Sequence, residues 1–247
     1  MNVALIFAGG SGTRMGAAVP KQFLEINGKA VLAHTLSLFQ AHPQIDGIWL
    51  VVASDQLERA RELAAGCGIS KLMGLAVGGD SAQASIYNGL AALRAVCGPD
   101  TIVLIHDGVR PYVDRRVITA NIESVKEHGN AVTFTPCHET VAISKDGKMI
   151  DDVPYRRESY VIQAPQSFRL GDILAAHERI RARPEGYADM VDQATICHAL
   201  GIPVHLMPGN NGNVKVTTQE DVRMLSALLA CCKENENDGR RTHGVPA

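Results

Sequence analysis

The run Val3-Ala4-Leu5-Ile6-Phe7-Ala8, emptying into Gly9-Gly10-Ser11-Gly12-Thr13-Arg14-Met15-Gly16 and then Pro20-Lys21-Gln22, decides the fold. An apolar strand that breaks into glycines lets the backbone approach a ligand without a Cβ in the way and turns successive N–H groups toward an anion. Arg14 and Lys21 add full positive charge where that anion would lie, so a nucleoside triphosphate or another polyphosphate is the expected ligand. Two commoner glycine loops are excluded. No G-x-x-x-x-G-K-[ST] string occurs, and Gly10 to Gly16 reads G-x-G-x-x-x-G, one residue too long for a dinucleotide fingerprint.

Working outward, apolar runs recur at Val3 to Phe7, Ile48 to Val52, Leu72 to Val77 and Ile102 to Ile105, each continuous rather than alternating. Continuous runs predict strands buried on both faces. Helix-length amphipathic segments lie between and after them: Ala30 to Gln40, Asp55 to Cys67, Ala82 to Val96 and Asp114 to His128. The alternation predicts an α/β fold, a mostly parallel twisted sheet with helices on both faces. Ligands of such sheets sit beyond the carboxyl ends of the strands. Three polar turns fall at that edge: the glycine loop, Gly78-Gly79-Asp80-Ser81, and His106-Asp107-Gly108-Val109-Arg110-Pro111.

The pattern changes at Glu139 to Ser144, Lys145-Asp146-Gly147-Lys148 and Met149 to Val153, which read as a β-hairpin around an Asp-Gly turn and predict a protruding arm at about 138–158. Such a hairpin is marginal alone, which points to a second subunit as its support. A last short strand is expected at Asn213 to Val216, followed by a Thr217-x-x-Glu220 capping box and a helix to about Cys232. Residues 1–232 are thus expected to form one domain, and the polar tail 233–247 to be disordered.

Composition sets the outer bounds. The 247 residues are 46% hydrophobic, enough for a sizeable core. With 24 basic and 26 acidic side chains well mixed there is no basic stripe for a nucleic-acid backbone, and no apolar run approaches the roughly 20 residues of a membrane span. The six cysteines show no C-x-x-C spacing, which argues against a zinc site or a disulfide framework and suits a reducing cytoplasm.

Asp107 ends an aliphatic run, and a carboxylate there can hold Mg2+ or another divalent cation that shares its remaining oxygens with substrate phosphates. Arg110 beside it can clamp a phosphate, although an Asp with a structural Arg partner is the blander alternative. Lys215 lies between Val214 and Val216, and a buried ammonium there would need an anion. Arg14, Lys21 and Lys215 together would surround a triphosphate and stabilise the charge that grows as a phosphate oxygen attacks the α-phosphorus.

The segments FAGGSGTRMG, PKQF, GGDSAQAS, HDGVRP, APQSF and NVKVTT, in this order across roughly residues 2 to 230, resemble the cytidylyltransferases that make CDP-activated polyol phosphates. The resemblance implies a Rossmann-like nucleotidyltransferase fold and transfer of CMP from CTP to a polyol phosphate. Its implied roles are these: Ala8, Gly9, Gly10 and Gly12 hold cytosine and triphosphate, with Arg14 and Lys21 as catalytic cations. Gly78, Gly79, Asp80 and Ser85 contact the nucleoside, Asp107 and Arg110 serve metal and acceptor, and Lys215 contacts phosphate as a third catalytic cation. The arm makes a homodimer, and its Thr140 and Arg156 reach the acceptor.

Three positions depart from the family pattern. Ala82 stands where an arginine is usual after the double glycine, Ala164 replaces the threonine of T-P-Q, and Val191 replaces the threonine before Asp192. Of the two best-known branches, ribitol-5-phosphate and 2-C-methyl-D-erythritol 4-phosphate cytidylyltransferases, Val109 to Ile118, Lys145 to Asp151 and Tyr160 to Phe168 look nearer to the first. A sugar-phosphate nucleotidyltransferase using another base, and a CTP-binding protein without turnover, are the remaining alternatives.

Overall fold

The computed structural model describes residues 1–9 and 19–241, with residues 231–241 described by backbone only. In chain order the elements are β1 (Asn2–Phe7), the short antiparallel pair β2 (Glu25–Ile26) and β3 (Lys29–Ala30), α1 (Val31–Ala41), β4 (Gly47–Val52), α2 (Leu57–Gly66), β5 (Leu72–Val77) and α3 (Ala82–Arg94). Then follow β6 (Ile102–Asp107), α4 (Arg115–His128), β7 (Asn130–Pro136), β8 (Tyr160–Arg169), α5 (Leu170–Arg181), α6 (Gln193–Ala199), β9 (Leu206–Pro208) and α7 (Gln219–Arg241).

Seven strands form one sheet in the order β5-β4-β1-β6-β8-β7-β9. β1 pairs in parallel with β4 and β6, β4 with β5, and β7 with β9. Only β8 runs against its neighbours, antiparallel to both β6 and β7. The expected mostly parallel α/β sheet is therefore present.

The centre of the sheet is apolar throughout because both of its faces are covered. In β1, Ala4 and Ile6 enter a core shared with Leu32, Leu36 and Phe39 of α1, while Val3 and Leu5 enter the opposite core with Ile86, Leu90 and Leu93 of α3. Each of these fully buried Val, Leu, Ile and Phe side chains contributes about 1.5–3 kcal/mol. Helix α3 lies so close to the sheet that a Cβ on Gly89 would stand 2.5 Å from Val51 Cγ2. Helix ends are marked chemically: Asp114 accepts from the Arg116 N–H at 2.7 Å to start α4, and Gly129 ends it at φ +86°.

Four expectations are corrected. β5 carries an apolar run but is an edge strand, so Met73 and Val77 are exposed. The arm is not a paired hairpin: a single antiparallel bridge joins Ile143 to Asp152, and the tip is held by the Asp146 carboxylate accepting from Lys148 and Met149 N–H groups. Residues 213–216 form no strand. Val216 donates one backbone bond to the Val109 carbonyl, and Asn213 Nδ2 donates to the Ala164 carbonyl at 2.6 Å. Finally, α7 continues to Arg241, so residues 233–241 are helical where an unordered tail was expected, while 242–247 lie outside the described residues. Its cap also sits one position later than expected: Thr218 Oγ1 accepts from the Asp221 N–H at 3.2 Å and Asp221 Oδ2 accepts from the Thr218 N–H at 2.7 Å.

Among the described residues, no helix is long and apolar enough to cross a membrane.

Candidate active site

The parallel strands β1, β4, β5 and β6 deliver their carboxyl ends to one edge, and bonds between the exits fix their spacing. Ala8 N donates to the Val51 carbonyl at 2.8 Å, Gly78 N to Val52 at 2.8 Å, and Gly108 N to Phe7 at 2.9 Å. Past β5, the Gly78-Gly79 turn needs glycine for space, since a Cβ on Gly79 would come within 2.7 Å of the Ala84 Cβ. Ser81 then caps α3, and the buried Ser85 accepts from Gly79 N at 3.0 Å and donates to the Ser81 carbonyl at 2.8 Å. Ser85 thus shapes the turn from inside.

Asp107, the last residue of β6, is the electrostatic centre. Lys215 Nζ lies 2.6 Å from its Oδ1, and Arg110 Nε lies 2.9 Å from its Oδ2. Burial alone would raise the carboxyl pKa, but these two cations outweigh it and hold Asp107 below the usual carboxylate range. Arg110 is fixed further by Nη1 donating to the Asn213 carbonyl at 2.7 Å. His106, wholly buried, has its Nε2 3.0 Å from the Arg110 carbonyl. Burial lowers its pKa to about 4, so at neutral pH the ring is uncharged and Nε2–H donates to that carbonyl. Lys215 itself is 41% exposed at its side chain, so it is a cation at the mouth of a cleft rather than the buried one expected.

The cleft has two chambers. One, of about 400 Å3, is lined by Ala8, Gly9, Lys21, Gly79 and Asp80 among others. The other, of about 200 Å3, is lined by Arg110, Gln163, Gln166, Asp192 and Gln193. Phe7, Ala82, Asp107 and Lys215 line both and form the junction. The smaller chamber has a fixed polar wall: Gln193 Nε2 donates to Gln83 Oε1 at 2.9 Å, and Gln166 Nε2 to Asp192 Oδ2 at 3.0 Å.

Most of the residues singled out in the sequence meet here. Ala8, Gly9, Lys21, Asp80, Ser85 and Lys215 line the larger chamber, as does Gly79, while Gly78 shapes the turn behind it. Asp107 and Arg110 line the smaller. Gly10, Gly12 and Arg14 lie outside the described residues. Thr140 and Arg156 line neither chamber; they sit exposed on the arm, where Arg156 Nη2 donates to Thr140 Oγ1 at 2.8 Å. The three departures all fall on the cleft, Ala82 at the junction and Ala164 and Val191 on the smaller chamber.

Gln22 was not singled out, yet it is wholly buried on the larger chamber's wall, its Nε2 donating to the Ala8 carbonyl at 2.9 Å and to Gln56 Oε1 at 2.6 Å. Its place in PKQF was the available signal. The glutamines of the smaller chamber were missed because isolated carboxamides carry no spacing rule.

Among the described residues no cluster of three His, Cys, Asp or Glu side chains could hold a metal. To a hard cation the site offers one carboxylate, Asp107, whose two oxygens already meet Lys215 and Arg110, so the remaining oxygens would have to come from phosphates. A zinc-type cage does not fit this donor set.

The family model for 2-C-methyl-D-erythritol 4-phosphate cytidylyltransferase (IspD) matches residues 2–230. The chain is 40% identical to a ribitol-5-phosphate cytidylyltransferase of Streptococcus agalactiae serotype V, over 96% of this chain and 98% of that protein. It is 37% identical to a 2-C-methyl-D-erythritol 4-phosphate cytidylyltransferase of Geobacter metallireducens, over 92% and 96%. Among solved structures, the 4-diphosphocytidyl-2C-methyl-D-erythritol synthase of Anaerococcus prevotii superposes with a TM-score of 0.78 at 28% identity, covering 93% of this chain and 96% of that one.

Proposed function

The chain belongs to the 2-C-methyl-D-erythritol 4-phosphate cytidylyltransferase family (IspD), and from that premise we propose that it transfers CMP from CTP to ribitol 5-phosphate. The carrying observation for the chemistry is the junction: Asp107, with Lys215 and Arg110 at hydrogen-bond distance, stands where the two chambers meet. CTP occupies the larger chamber and the polyol phosphate the smaller. An oxygen of the acceptor phosphate forms a bond to the α-phosphorus as the bond from that phosphorus to the β-bridging oxygen breaks, and pyrophosphate leaves with the electron pair.

No protein nucleophile is needed, since the acceptor phosphate is already ionised near neutral pH. Lys21 and Lys215 face the charge that builds on the phosphates, and Arg110 orients the incoming phosphate from the other side. Mg2+, held by Asp107 with phosphate oxygens, would supply further charge neutralisation. Asp107 has two further tasks: it keeps Lys215 and Arg110 in place before substrate arrives, and its depressed pKa keeps it an anion.

The acceptor assignment is supported by 40% identity over nearly full length to a protein named for ribitol 5-phosphate, against 37% to one named for methylerythritol phosphate. The methylerythritol reading is kept as the alternative because the family model and the superposed structure carry that name. Pyrophosphate release measured with four nucleoside triphosphates crossed against ribitol 5-phosphate and methylerythritol 4-phosphate tests both assignments. The expected maximum is CTP with ribitol 5-phosphate; a higher kcat/KM with the methylerythritol substrate overturns the acceptor, and preference for another base overturns the donor. Turnover is expected to stop with a chelator and return with Mg2+.

Two further points belong to this reading. The arm packs on a second copy of the chain and brings Thr140 and Arg156 to its neighbour's smaller chamber. The described cysteines Cys67, Cys97, Cys137 and Cys197 are free, which suits the cytoplasm.

A further inference from the structure

Behind the cleft, between α1, the start of α4 and α7, lies a separate cavity of about 290 Å3. Its apolar lining comes from Leu38 and Ala41 of α1, Pro111 and Val113 of the connection after β6, Ile118 of α4 and Leu229 of α7. Its charged lining is Lys29 and Arg115, and among the described residues no carboxylate lines it. Lys29 Nζ donates to Ser37 Oγ at 2.6 Å, which keeps its stem along the cavity wall without neutralising it. The imidazole of His42, also in the lining, is held below its ordinary pKa chiefly by burial, with the charges of Arg115 and Lys71 adding to it.

A hydrocarbon floor under two permanent cations with no counter-carboxylate is incomplete in one particular way. A purely apolar occupant would bury the floor and gain nothing from the cations, whereas an inorganic anion would match the cations and leave the floor wet. CTP and polyol phosphates have no apolar body to cover Leu38, Ile118 and Leu229, so this is not a second substrate site. We propose that the cavity binds an amphipathic anion, a carboxylate or phosphate monoester carried on an alkyl or aryl body, with its charge met by Lys29 and Arg115 and its body against Leu38, Ile118 and Leu229. The occupant would touch both segments that lead to the junction. Pro111 directly follows Arg110, and Leu229 lies on the helix that follows Lys215.

Titration calorimetry of the full chain with octanoate and with octyl phosphate, each with and without saturating CTP, tests this; octanol and octyltrimethylammonium are the controls. The expected result is saturable binding of either anion, unchanged by CTP, with octanol and the ammonium weaker by about tenfold or more. K29Q and R115Q should each weaken binding of that anion severalfold, and L38W should block it by filling the floor. Should L38W fail to fold, the two cation variants decide, since Arg115 is exposed and Lys29 half-buried. Absence of binding by both anions at millimolar concentration, competition with CTP, equal binding of octanol, or native affinity in the K29Q/R115Q double variant would each overturn the proposal. Any of these results leaves the CMP-transfer reading untouched, because that reading is measured by pyrophosphate release.

Discussion

At the residue scale, Asp107 and Lys215 illustrate how far spacing alone carries. The strand-end aspartate and the lysine between two valines stand out in the sequence, but their 2.6 Å contact does not, because it depends on how residues 213–216 cross the sheet edge. Lys215→Ala should lower kcat by about 10²- to 10³-fold, the usual cost of removing one group that faces transition-state charge. Its melting temperature should stay near native, since Arg110 still pairs with Asp107 and the lysine side chain is 41% exposed. Retained turnover with a collapsed melting temperature would assign Lys215 to structure instead. Two buried imidazoles bear on acid stability. His106 and His177 both have folded pKa values lowered by burial from 6.5 to about 4. The unfolded chain therefore binds more protons between those values, and stability should fall as pH drops from 6.5 toward 4. Urea denaturation at pH 7, 6 and 5 checks the slope, and His177→Phe should flatten it; an unchanged slope refutes the assignment.

At the element scale, β1, β4 and β6 were legible because they are buried on both faces and so read as unbroken apolar runs. The same run in β5 says nothing of its edge position, which pairing order alone decides. Val214 to Val216 has strand-like side chains but no ladder, since Val216 makes a single backbone bond to Val109 and the neighbouring Asn213 is tied to Ala164 and Arg110. The arm alternates as a hairpin should, yet one bridge is all that pairs, as expected of a ribbon with no face to bury. At the start of α7, Thr218 and Asp221 cap each other's N–H groups, and Asp221 Oδ2 also accepts from Thr217 N and Oγ1 at 2.7 Å. Thr218→Ala and Asp221→Ala should each cost about 1 kcal/mol, with the pair less than additive because one reciprocal motif is lost once. Chemical denaturation of the two singles and the double measures this directly.

At the scale of the whole molecule, the arm is the feature without a partner in a single chain. Val141, Ile143, Met149, Ile150, Val153 and Tyr155 are all exposed on it. These exposed apolar groups are the observation behind the proposed contact between copies, for which a twofold arrangement is the commonest form. Deleting the 145–148 tip should spare the proposed dimer. Replacing 139–153 by a short Gly-Ser linker should give monomers that bind CTP but no longer turn over the polyol phosphate, as read by sedimentation and pyrophosphate release. A fully active monomer would show that Thr140 and Arg156 are not needed by the neighbouring site.

Lys215 reaches the junction on one of the last segments of the chain, stitched in by the Val216 to Val109 backbone bond and by Asn213 to Ala164 and Arg110. In order of synthesis, Asp107 therefore exists well before the ammonium that pairs with it. A chain with its central strands paired but Lys215 not yet seated lacks one of the cations proposed to face the phosphates, so turnover is expected to follow sheet formation. Trp49, the chain's single tryptophan, is buried in β4 and reports the earlier stage. In a refolding time course its fluorescence should reach the native value no later than pyrophosphate release begins, and turnover that precedes it would show the junction assembling without its sheet.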